Sequence, residues 1–196
     1  TEQAAEVAPG LVGETGYLVL KAVVPGLLHK TDAGAVLLDI PVTGAAPAFK
    51  AFTAKFPTLT GVLIQEQLPV GPELLVGARQ DPSAGPLIVV AAGGVEAELL
   101  GDRVVRAAPL SLDAAHDMLL GLRTAARLTG YRGRPASDLS AVATVVSNLS
   151  QLVTVVPELA EFEINPLIAF AAGAVVVDAR MRVDLGAGSV TPLRGN

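Results

Sequence analysis

The sequence is poor in cysteine and in aromatic residues. Its 196 residues include no cysteine and no tryptophan, and aromatic residues make up 4% of the chain. The absence of cysteine excludes disulfides, thiolate nucleophiles and thiolate metal sites, and it is typical of a reducing compartment. We therefore expect a cytoplasmic protein.

Long hydrophobic runs and basic segments are also missing. Although 51% of the residues are hydrophobic, no segment reaches the ~18 uncharged apolar residues that a membrane-spanning helix needs. The longest candidate, Asn165 to Val177, is interrupted by Pro166 and Gly173. The net charge is −5 and there is no basic run, which argues against binding to nucleic acid or to an anionic membrane. We expect neither partner.

The chain does contain an irregular alternation of strand and helix patterns, which indicates an α+β fold. Short apolar runs bounded by glycine or proline predict strands, and apolar residues at helical spacing predict helices. The predicted strands cover residues 17–24, 35–40, 61–68, 72–79, 85–94, 160–164, 167–171 and 174–180. The predicted helices cover residues 45–56, 111–128 and 137–153, the last two with N-caps at Ser111 and Ser137. The first fifteen residues resemble a frayed helix.

The first group of candidate functional residues follows the first predicted strand. Lys21 ends an otherwise apolar strand, where a lysine is costly to bury unless it meets an anion. The next loop carries Lys30 and Gly34, and such a loop can offer backbone N–H groups and cationic side chains to a phosphate. A lysine that only extends its ammonium to solvent is the alternative, because no Walker-type or Rossmann-type glycine pattern is present.

His29 lies in the same loop and is one of two histidines; the other, His116, falls inside a predicted helix. A loop histidine beside a phosphate-binding lysine can accept a phosphoryl group or carry a proton. Because two leucines and a lysine flank His29, a purely structural histidine is the alternative.

The last predicted strands contain a candidate metal site. Glu163 and Asn165 are two residues apart and therefore point to the same face of a strand. If these strands pair as a hairpin, Asp178 comes back alongside Asn165. Carboxylate and amide oxygens suit a hard cation, and Mg²⁺ usually takes one or two carboxylates plus substrate phosphates. Ordinary edge-strand charges at Glu163 and Asp178 are the alternative.

Two further groups of residues complete the candidates for the nucleotide site. The pair Gly93 and Gly94 lets the backbone approach a ligand closely, and it precedes Glu98 and Arg106, which could support a metal and hold a phosphate. Each of these two charges would be a surface residue if it acted alone.

The segment around residues 65–66 could form a hinge between two lobes. Its backbone would hydrogen-bond to the edge of a base, while Glu73 would offer an acid to ribose hydroxyls.

Four ordered segments resemble the ATP-grasp domain of the NDP-forming acyl-CoA synthetases, which is similar to the β subunit of succinyl-CoA synthetase. They are LVLKAVVPGLLHKTDAG, GPELLVGARQDPSAGP, GGVEAELLGDRVVRAAPL, and EFEINPL with VVVDAR. The resemblance runs from about Gly16 to Arg182. It implies an ATP-grasp fold of two α+β lobes with a nucleotide cleft between them. We expect an N-terminally truncated small lobe at 1–66 and a large lobe at 67–196.

The resemblance also implies cofactors and residue roles. ATP or ADP would bind with Mg²⁺, and His29 matches a histidine thought to relay phosphate between the nucleotide and a distant acyl-phosphate site. Together with the candidates above, the expected nucleotide-binding residues are Lys21, Lys30, Gly34, Gln65, Glu66, Glu73, Gly93, Gly94 and Arg106. The implied magnesium residues are Asn165 and Asp178, with Glu163 close by.

The implied activity is one half-reaction of acyl-CoA + ADP + phosphate = acid + CoA + ATP, in which phosphate moves between the nucleotide and a histidine. Because the chain begins at Thr1 rather than methionine, we expect a piece of a larger acid–CoA ligase, with CoA-binding and ligase domains or subunits as partners.

Two other functions stay open. Ala35, Gln80 and Ala84 depart from the family's pattern, so the chain could be a catalytically decayed nucleotide-binding domain that regulates a fused protein acetyltransferase. A purely structural domain that docks to a CoA-binding partner is the third reading.

Overall fold

The structure, a computed structural model, describes residues 2–27, 30–94 and 101–186. It divides into two units, Thr1–Val70 and Gly71–Asn196, so the division falls shortly after the predicted lobe boundary at Glu66. Each unit combines an antiparallel sheet with helices, which confirms the predicted α+β class.

The first unit contains a three-stranded sheet in the order β2–β1–β3. Its elements are α1 (Glu2–Val7), a 3-10 turn (Ala8–Leu11), β1 (Leu18–Val23), β2 (Val36–Ile40), a second 3-10 turn (Val42–Gly44), α2 (Ala45–Lys55) and β3 (Gly61–Glu66). Strand side chains alternate between faces. Leu18, Leu20 and Ala22 of β1 therefore share one face, where they form a core with Ala48 and Phe52 of α2.

The second unit contains a six-stranded sheet in the order β6–β5–β4–β7–β8, with β9 also paired to β7. Its strands are β4 (Glu73–Asp81), β5 (Gly85–Ala92), β6 (Arg103–Ala107), β7 (Leu159–Ala169), β8 (Ala174–Val176) and β9 (Ala179–Val183). Its helices are α3 (Leu112–Leu120), α4 (Ala126–Thr129) and α5 (Leu139–Val155).

The core of the second unit lies on one face of its sheet. Helix α5 buries Val142, Val146, Leu149 and Val153, whose spacing of three and four residues gives the helix one apolar side. These side chains pack with the inward residues of β4, β5 and β7 and with Met118 and Leu119 of α3. The alternate side chains of each strand lie on the opposite face of the sheet.

Several local predictions are wrong, and three of them have a structural reason. The helix predicted over 111–128 ends at Leu120, because the N–H groups of Arg123 and Thr124 donate to the buried carboxylate of Asp102 instead of to helix carbonyls. The second long helix takes Asp138 rather than Ser137 as its N-cap, since the Asp138 carboxylate accepts from the Ala141 N–H at 2.9 Å.

The third error concerns β7. The segments 160–164 and 167–171 were predicted as two strands and form one, Leu159–Ala169. The pairing of β4 with β7 is irregular near Leu74. This irregularity lets both Ile164 and Leu167 reach the core although they are three positions apart, an odd spacing that would otherwise place them on opposite faces.

The single strand predicted over 174–180 is divided into β8 and the start of β9, whereas the predicted N-cap at Ser111 is confirmed. The Ser111 hydroxyl caps its helix by accepting from the Ala114 N–H at 3.1 Å. The edge strand β6 (Arg103–Ala107) was not predicted. In the described ranges, no helix has both the length and the apolar character to cross a membrane.

Candidate functional site

Lys21 and Gln65 lie on the same face of the first unit's sheet. Lys21 lies inside β1, with Ala22 and Val23 after it, and not at the end of the strand as predicted. It pairs with Leu63 of β3, and Gln65 pairs with Val19, two residues from Lys21. Cross-strand partners point to one face, and this face is opposite to the core formed by Leu18, Leu20 and Ala22. Lys21 is only 8% exposed. A buried ammonium on the face away from the apolar core is suited to an anionic ligand.

Glu66 points the other way. It pairs with Leu18, so its side chain lies on the core side of the sheet, at an exposed position. A Cβ on Gly13 would come within 2.9 Å of the Glu66 carboxyl carbon, so the carboxylate lies against the bare backbone of Gly13. The structure therefore separates the side chains of Gln65 and Glu66, and a hinge role for Glu66 falls to its backbone.

The loop that carries Lys30 and Gly34 is tightly closed. The Ala35 N–H donates to the Lys30 carbonyl at 2.7 Å, and the Gly34 N–H donates to the Thr31 carbonyl at 2.9 Å. Gly34 has φ +62, and a Cβ there would collide with the Nζ of Lys55. Lys55 donates to the Gly34 carbonyl at 3.3 Å. The positive φ therefore favours glycine here, and Lys55 is a second cation at the loop that sequence reasoning missed.

The predicted phosphate relay residue His29 lies outside the described residues, and so does Glu98. For Lys55, the sequence signal that could have identified it as a further cation is its position as the basic residue in the last turn of α2.

The two glycines after β5 allow a close backbone contact. The Gly93 N–H donates to the Glu73 carbonyl at 2.8 Å, and a Cβ on Gly93 would lie 2.8 Å from the Glu73 carbonyl carbon. Gly94 has φ +89, which favours glycine. The pair thus brings the end of β5 against the exposed residue Glu73. Glu73 also lines a crevice of about 10 Å³, which is room for about one water. The lining residues are Pro72, Glu73, Leu74, Ala92, Thr124, Arg127 and Leu128.

Asp102 supports this crevice and was not predicted. Its side chain is 3% exposed and accepts from the N–H groups of Arg123 at 2.8 Å and Thr124 at 2.9 Å, and from the Thr124 hydroxyl. Its own carbonyl accepts from the Ala92 N–H at 3.0 Å. Burial disfavours the charged form, but the hydrogen bonds from Thr124 and Arg123 prevail and lower the pKa of Asp102.

Arg106 is not brought together with the predicted magnesium residues. It pairs with Ile88, a core residue, so its side chain projects on the helix side of the sheet. Glu163 pairs with Gly77, which pairs with Val89 on the other face. Strand alternation therefore separates Arg106 from Glu163 by a full sheet.

The predicted meeting of Asn165 and Asp178 is confirmed. The Asn165 N–H donates to the Asp178 carbonyl at 3.0 Å. Phe162 and Ile164 pack on the core side, so Glu163 and Asn165 share the opposite face, as their spacing predicts. The Asp178 carboxylate also accepts from the Ala179 N–H at 3.0 Å. The backbones of Asn165 and Asp178 are thus direct neighbours where β7 meets the segment between β8 and β9.

Glu163 has a cationic neighbour. Arg180 donates to the Glu163 carboxylate at 3.0 Å, and Arg182 donates to Glu161 at 3.2 Å. The hydrogen bond and the charge of Arg182 lower the pKa of the exposed Glu161. In the described part of the chain, no cluster of three histidine or acidic side chains is arranged to hold a metal. Asn165 and Asp178 carry an amide and a carboxylate, which are oxygen donors of the kind that Mg²⁺ takes together with substrate phosphates.

Comparison with known proteins gives one consistent family. A family model described as an ATP-grasp domain matches residues 1–183. The chain is 35% identical over 184 residues to the β subunit of ADP-forming acetate–CoA ligase I from Pyrococcus furiosus, covering 90% of this chain and 79% of that subunit. It is 36% identical over 173 residues to ADP-forming acetate–CoA ligase I from Archaeoglobus fulgidus, covering 85% of this chain but 25% of that longer protein.

The fold also matches solved structures of dinucleotide-forming acetyl-coenzyme A synthetase 1 from Candidatus Korarchaeum cryptofilum. The complex with coenzyme A and Ca-AMPCP has a TM-score of 0.85 and 32% identity, covering 93% of this chain and 81% of that chain. A second structure, with coenzyme A and Mg-AMPPCP, has a TM-score of 0.81, 31% identity and coverage of 93% and 82%, and its phosphohistidine segment points towards the nucleotide-binding site.

Proposed function

The chain belongs to the ATP-grasp domain family, and from this we propose that it is the nucleotide-binding domain of an ADP-forming acyl-CoA synthetase. The observation that carries the proposal is the backbone hydrogen bond between Asn165 and Asp178, because it makes neighbours of the two residues, one an amide and one a carboxylate, that the family resemblance implies for Mg²⁺. Lys21 and Gln65, on one face of the first unit's sheet, supply the corresponding contacts to phosphate and base.

Magnesium fits Asn165 and Asp178, since Mg²⁺ takes few protein ligands and keeps places for phosphate oxygens and water. When bound, it would neutralise charge on the nucleotide phosphates. Arg180 holds the carboxylate of Glu163, so we assign Glu163 beside the metal rather than among its ligands.

The cations of the first unit bind and orient the phosphates. Lys21 is buried, where an ammonium interacts more strongly with an anion than it does in water. Lys30 and Lys55 lie at the closed loop that ends at Gly34. Positioning and charge neutralisation are the main requirements of phosphoryl transfer.

His29 is the proposed acceptor. A ring nitrogen of its neutral imidazole forms a bond to the γ-phosphorus while the bond to the oxygen that bridges the β- and γ-phosphates breaks, which leaves ADP and a phosphohistidine. The remaining ring N–H proton passes to solvent. The reverse transfer makes ATP from ADP.

The remaining steps of acyl transfer need a CoA site and an acyl-phosphate site. The chain spans 25% of the Archaeoglobus relative, so we assign these sites to further domains or to a partner subunit of the same enzyme. The named relatives are CoA ligases, which favours this function over the regulatory alternative. A cytoplasmic location stays a prediction of the sequence.

Calorimetry with Mg·ATP tests the proposal. Asp178→Asn removes an anionic ligand and nearly keeps the shape, so we expect binding to weaken by roughly tenfold or more. Asp113→Asn makes the same change at an exposed position in the first turn of α3 and should leave the affinity unchanged. Equal affinity of the parent protein and Asp178→Asn would refute the assignment.

A further inference from the structure

Asp39 has an unusual backbone conformation for its place in a strand. It belongs to β2 and has φ 56, which lies in the left-handed region that most residues with a side chain avoid. The pairing of β2 with β1 is irregular beside it, between Leu18 and Leu20. An exposed residue held in this region requires interactions that favour the conformation.

Those interactions come from Gln67, the first residue after β3. The Asp39 N–H donates to the Gln67 side-chain oxygen at 2.6 Å, and the Gln67 side-chain nitrogen donates to the Asp39 carboxylate at 2.7 Å. The two bonds run in opposite directions between residues 28 positions apart in sequence. They fix the Gln67 amide in one orientation and hold Asp39 in its left-handed conformation.

The backbone of Gln67 is held as well. Its N–H donates to the Tyr17 carbonyl at 2.9 Å. Its carbonyl accepts from the Thr15 hydroxyl at 2.7 Å, and the same hydroxyl accepts from the Tyr17 N–H at 3.3 Å. The hydroxyl of Thr15 thus takes the place of a direct ladder bond between Tyr17 and Gln67. Both backbone groups of Gln67 therefore point toward the segment before β1.

The orientation of Gln67 fixes that of Glu66. In an antiparallel ladder the backbone groups of consecutive residues point to opposite sides, so the N–H and C=O of Glu66 point away from β1. Strand β3 is the edge of the sheet order β2–β1–β3. Among the described residues no strand pairs with β3 on that side, so Glu66 presents a donor and an acceptor at this edge, and the pair suits the hydrogen-bonding edge of a nucleotide base.

We propose that Asp39, Gln67 and Thr15 form a clamp, the Asp39–Gln67 clamp, whose role is to position the backbone of Glu66 for recognition of the nucleotide base. The inference rests on the proposed function, because it assumes that the segment at Gln65 and Glu66 contacts the base. Its three members are positioning residues, since they act through the Glu66 backbone.

The clamp predicts that its variants lose affinity only for ligands that contain a base. Asp39→Gly accepts the left-handed conformation without strain but removes the side-chain bond to Gln67, and Gln67→Leu removes both bonds. We expect each variant to bind Mg·ATP about five- to tenfold more weakly, which corresponds to the loss of one or two hydrogen bonds. Binding of Mg·tripolyphosphate, which has no base, should stay at the parent value.

Two further variants separate positioning from general stability. Asp39→Asn keeps an oxygen that accepts from Gln67 and tolerates the left-handed conformation, so it should retain the affinity for Mg·ATP. Thr60→Val is the matched control for Thr15→Val, because the Thr60 hydroxyl donates to the Val23 carbonyl at 2.9 Å between the same two strands at the other end of the sheet. Of these two variants, only Thr15→Val should weaken the binding of Mg·ATP.

The measurement is calorimetry with Mg·ATP and Mg·tripolyphosphate on each variant, with melting temperatures recorded in parallel. Equal losses for the two ligands, or equal losses in Asp39→Gly and Asp39→Asn, would overturn the clamp and leave the proposed function intact. A parent protein that binds neither ligand would refute the proposed function itself. The double variant Asp39→Gly with Gln67→Leu should bind no worse than Gln67→Leu, since the two residues act as one unit.

Discussion

Replacing Asp102 by asparagine should destabilise the second unit. The carboxylate is 3% exposed, and its two oxygens accept from the N–H groups of Arg123 and Thr124. In either orientation, the asparagine amide would turn an NH₂ donor toward one of these partly buried N–H donors. A charge-assisted hydrogen bond contributes about 1.5–3 kcal/mol, and a buried N–H left without an acceptor costs about 1–3 kcal/mol.

Because these two terms overlap for one lost bond, we expect a loss of about 2–4 kcal/mol in the free energy of unfolding. For a chain of this length the change corresponds to a fall in melting temperature of roughly 4–16 °C. Asp117→Asn, an exposed position on α3, is the matched control and should differ little from the parent protein.

The difference between parent and Asp102→Asn should depend on pH. The pKa of Asp102 in the folded protein is lowered from its ordinary value of 3.8. Its ionised form therefore contributes stability above that value, and the contribution is lost as the pH falls through the lower, folded pKa. Urea unfolding at neutral pH and in a series of acid buffers measures this. A variant as stable as the parent at pH 7, or a difference that grows toward acid, would contradict the assigned role.

Two further predictions concern the loop of the first unit. Gly34→Ala should weaken Mg·ATP binding measured by calorimetry, because it strains a φ of +62 and pushes against Lys55. Gly85→Ala, at φ +74 with open space around it, should cost about 1–2 kcal/mol of stability and leave the affinity unchanged. Equal nucleotide affinity in the two variants would exclude the loop from the site. The full-length protein incubated with radiolabelled ATP and Mg²⁺ should gain acid-labile, base-stable label that His29→Ala abolishes, and labelling that survives in His29→Ala would place the acceptor elsewhere.

The sequence predicts best those features that depend on near neighbours. The apolar run of β1 and the helical spacing of α2 follow from local periodicity, and the structure confirms both elements. The meeting of Asn165 with Asp178 could also be predicted, because the hairpin pairing of neighbouring strands brings their ends together. Each of these inferences needs only the alternation of side chains and a short connection.

Features that depend on distant partners could not be predicted. Asp102 resembles a surface acid in a glycine turn until the backbone of Arg123 and Thr124 folds onto it. The left-handed conformation of Asp39 depends on Gln67 in another strand. Hydrogen bonds of this kind form between residues more than twenty positions apart, and local propensity carries no information about them.

Strand alternation decides which predicted residues can act together. In the first unit, the apolar residues of β1 take one face for the core and leave Lys21 and Gln65 on the other. In the second, the helices cover the face that carries Phe162 and Ile164 and leave Glu163 and Asn165 on the opposite one. A shift of one residue in the pairing of the strands would exchange the two faces. The apolar core of each unit therefore also determines which side chains lie on the opposite, polar face, which we call the working face: Lys21 and Gln65 in the first unit, Glu163 and Asn165 in the second.

The same alternation explains the candidates that the structure sets apart. The side chain of Glu66 lies on the core side of the first sheet, and that of Arg106 lies on the helix side of the second. Their residue types suit a nucleotide, but their position in the strand is offset by one residue from the working faces. Glu66 can still contact a base through its backbone, which points to an open strand edge whatever its side chain does. Mutation of the Glu66 side chain is therefore a weaker test of base recognition than mutation of Gln67, which orients that backbone.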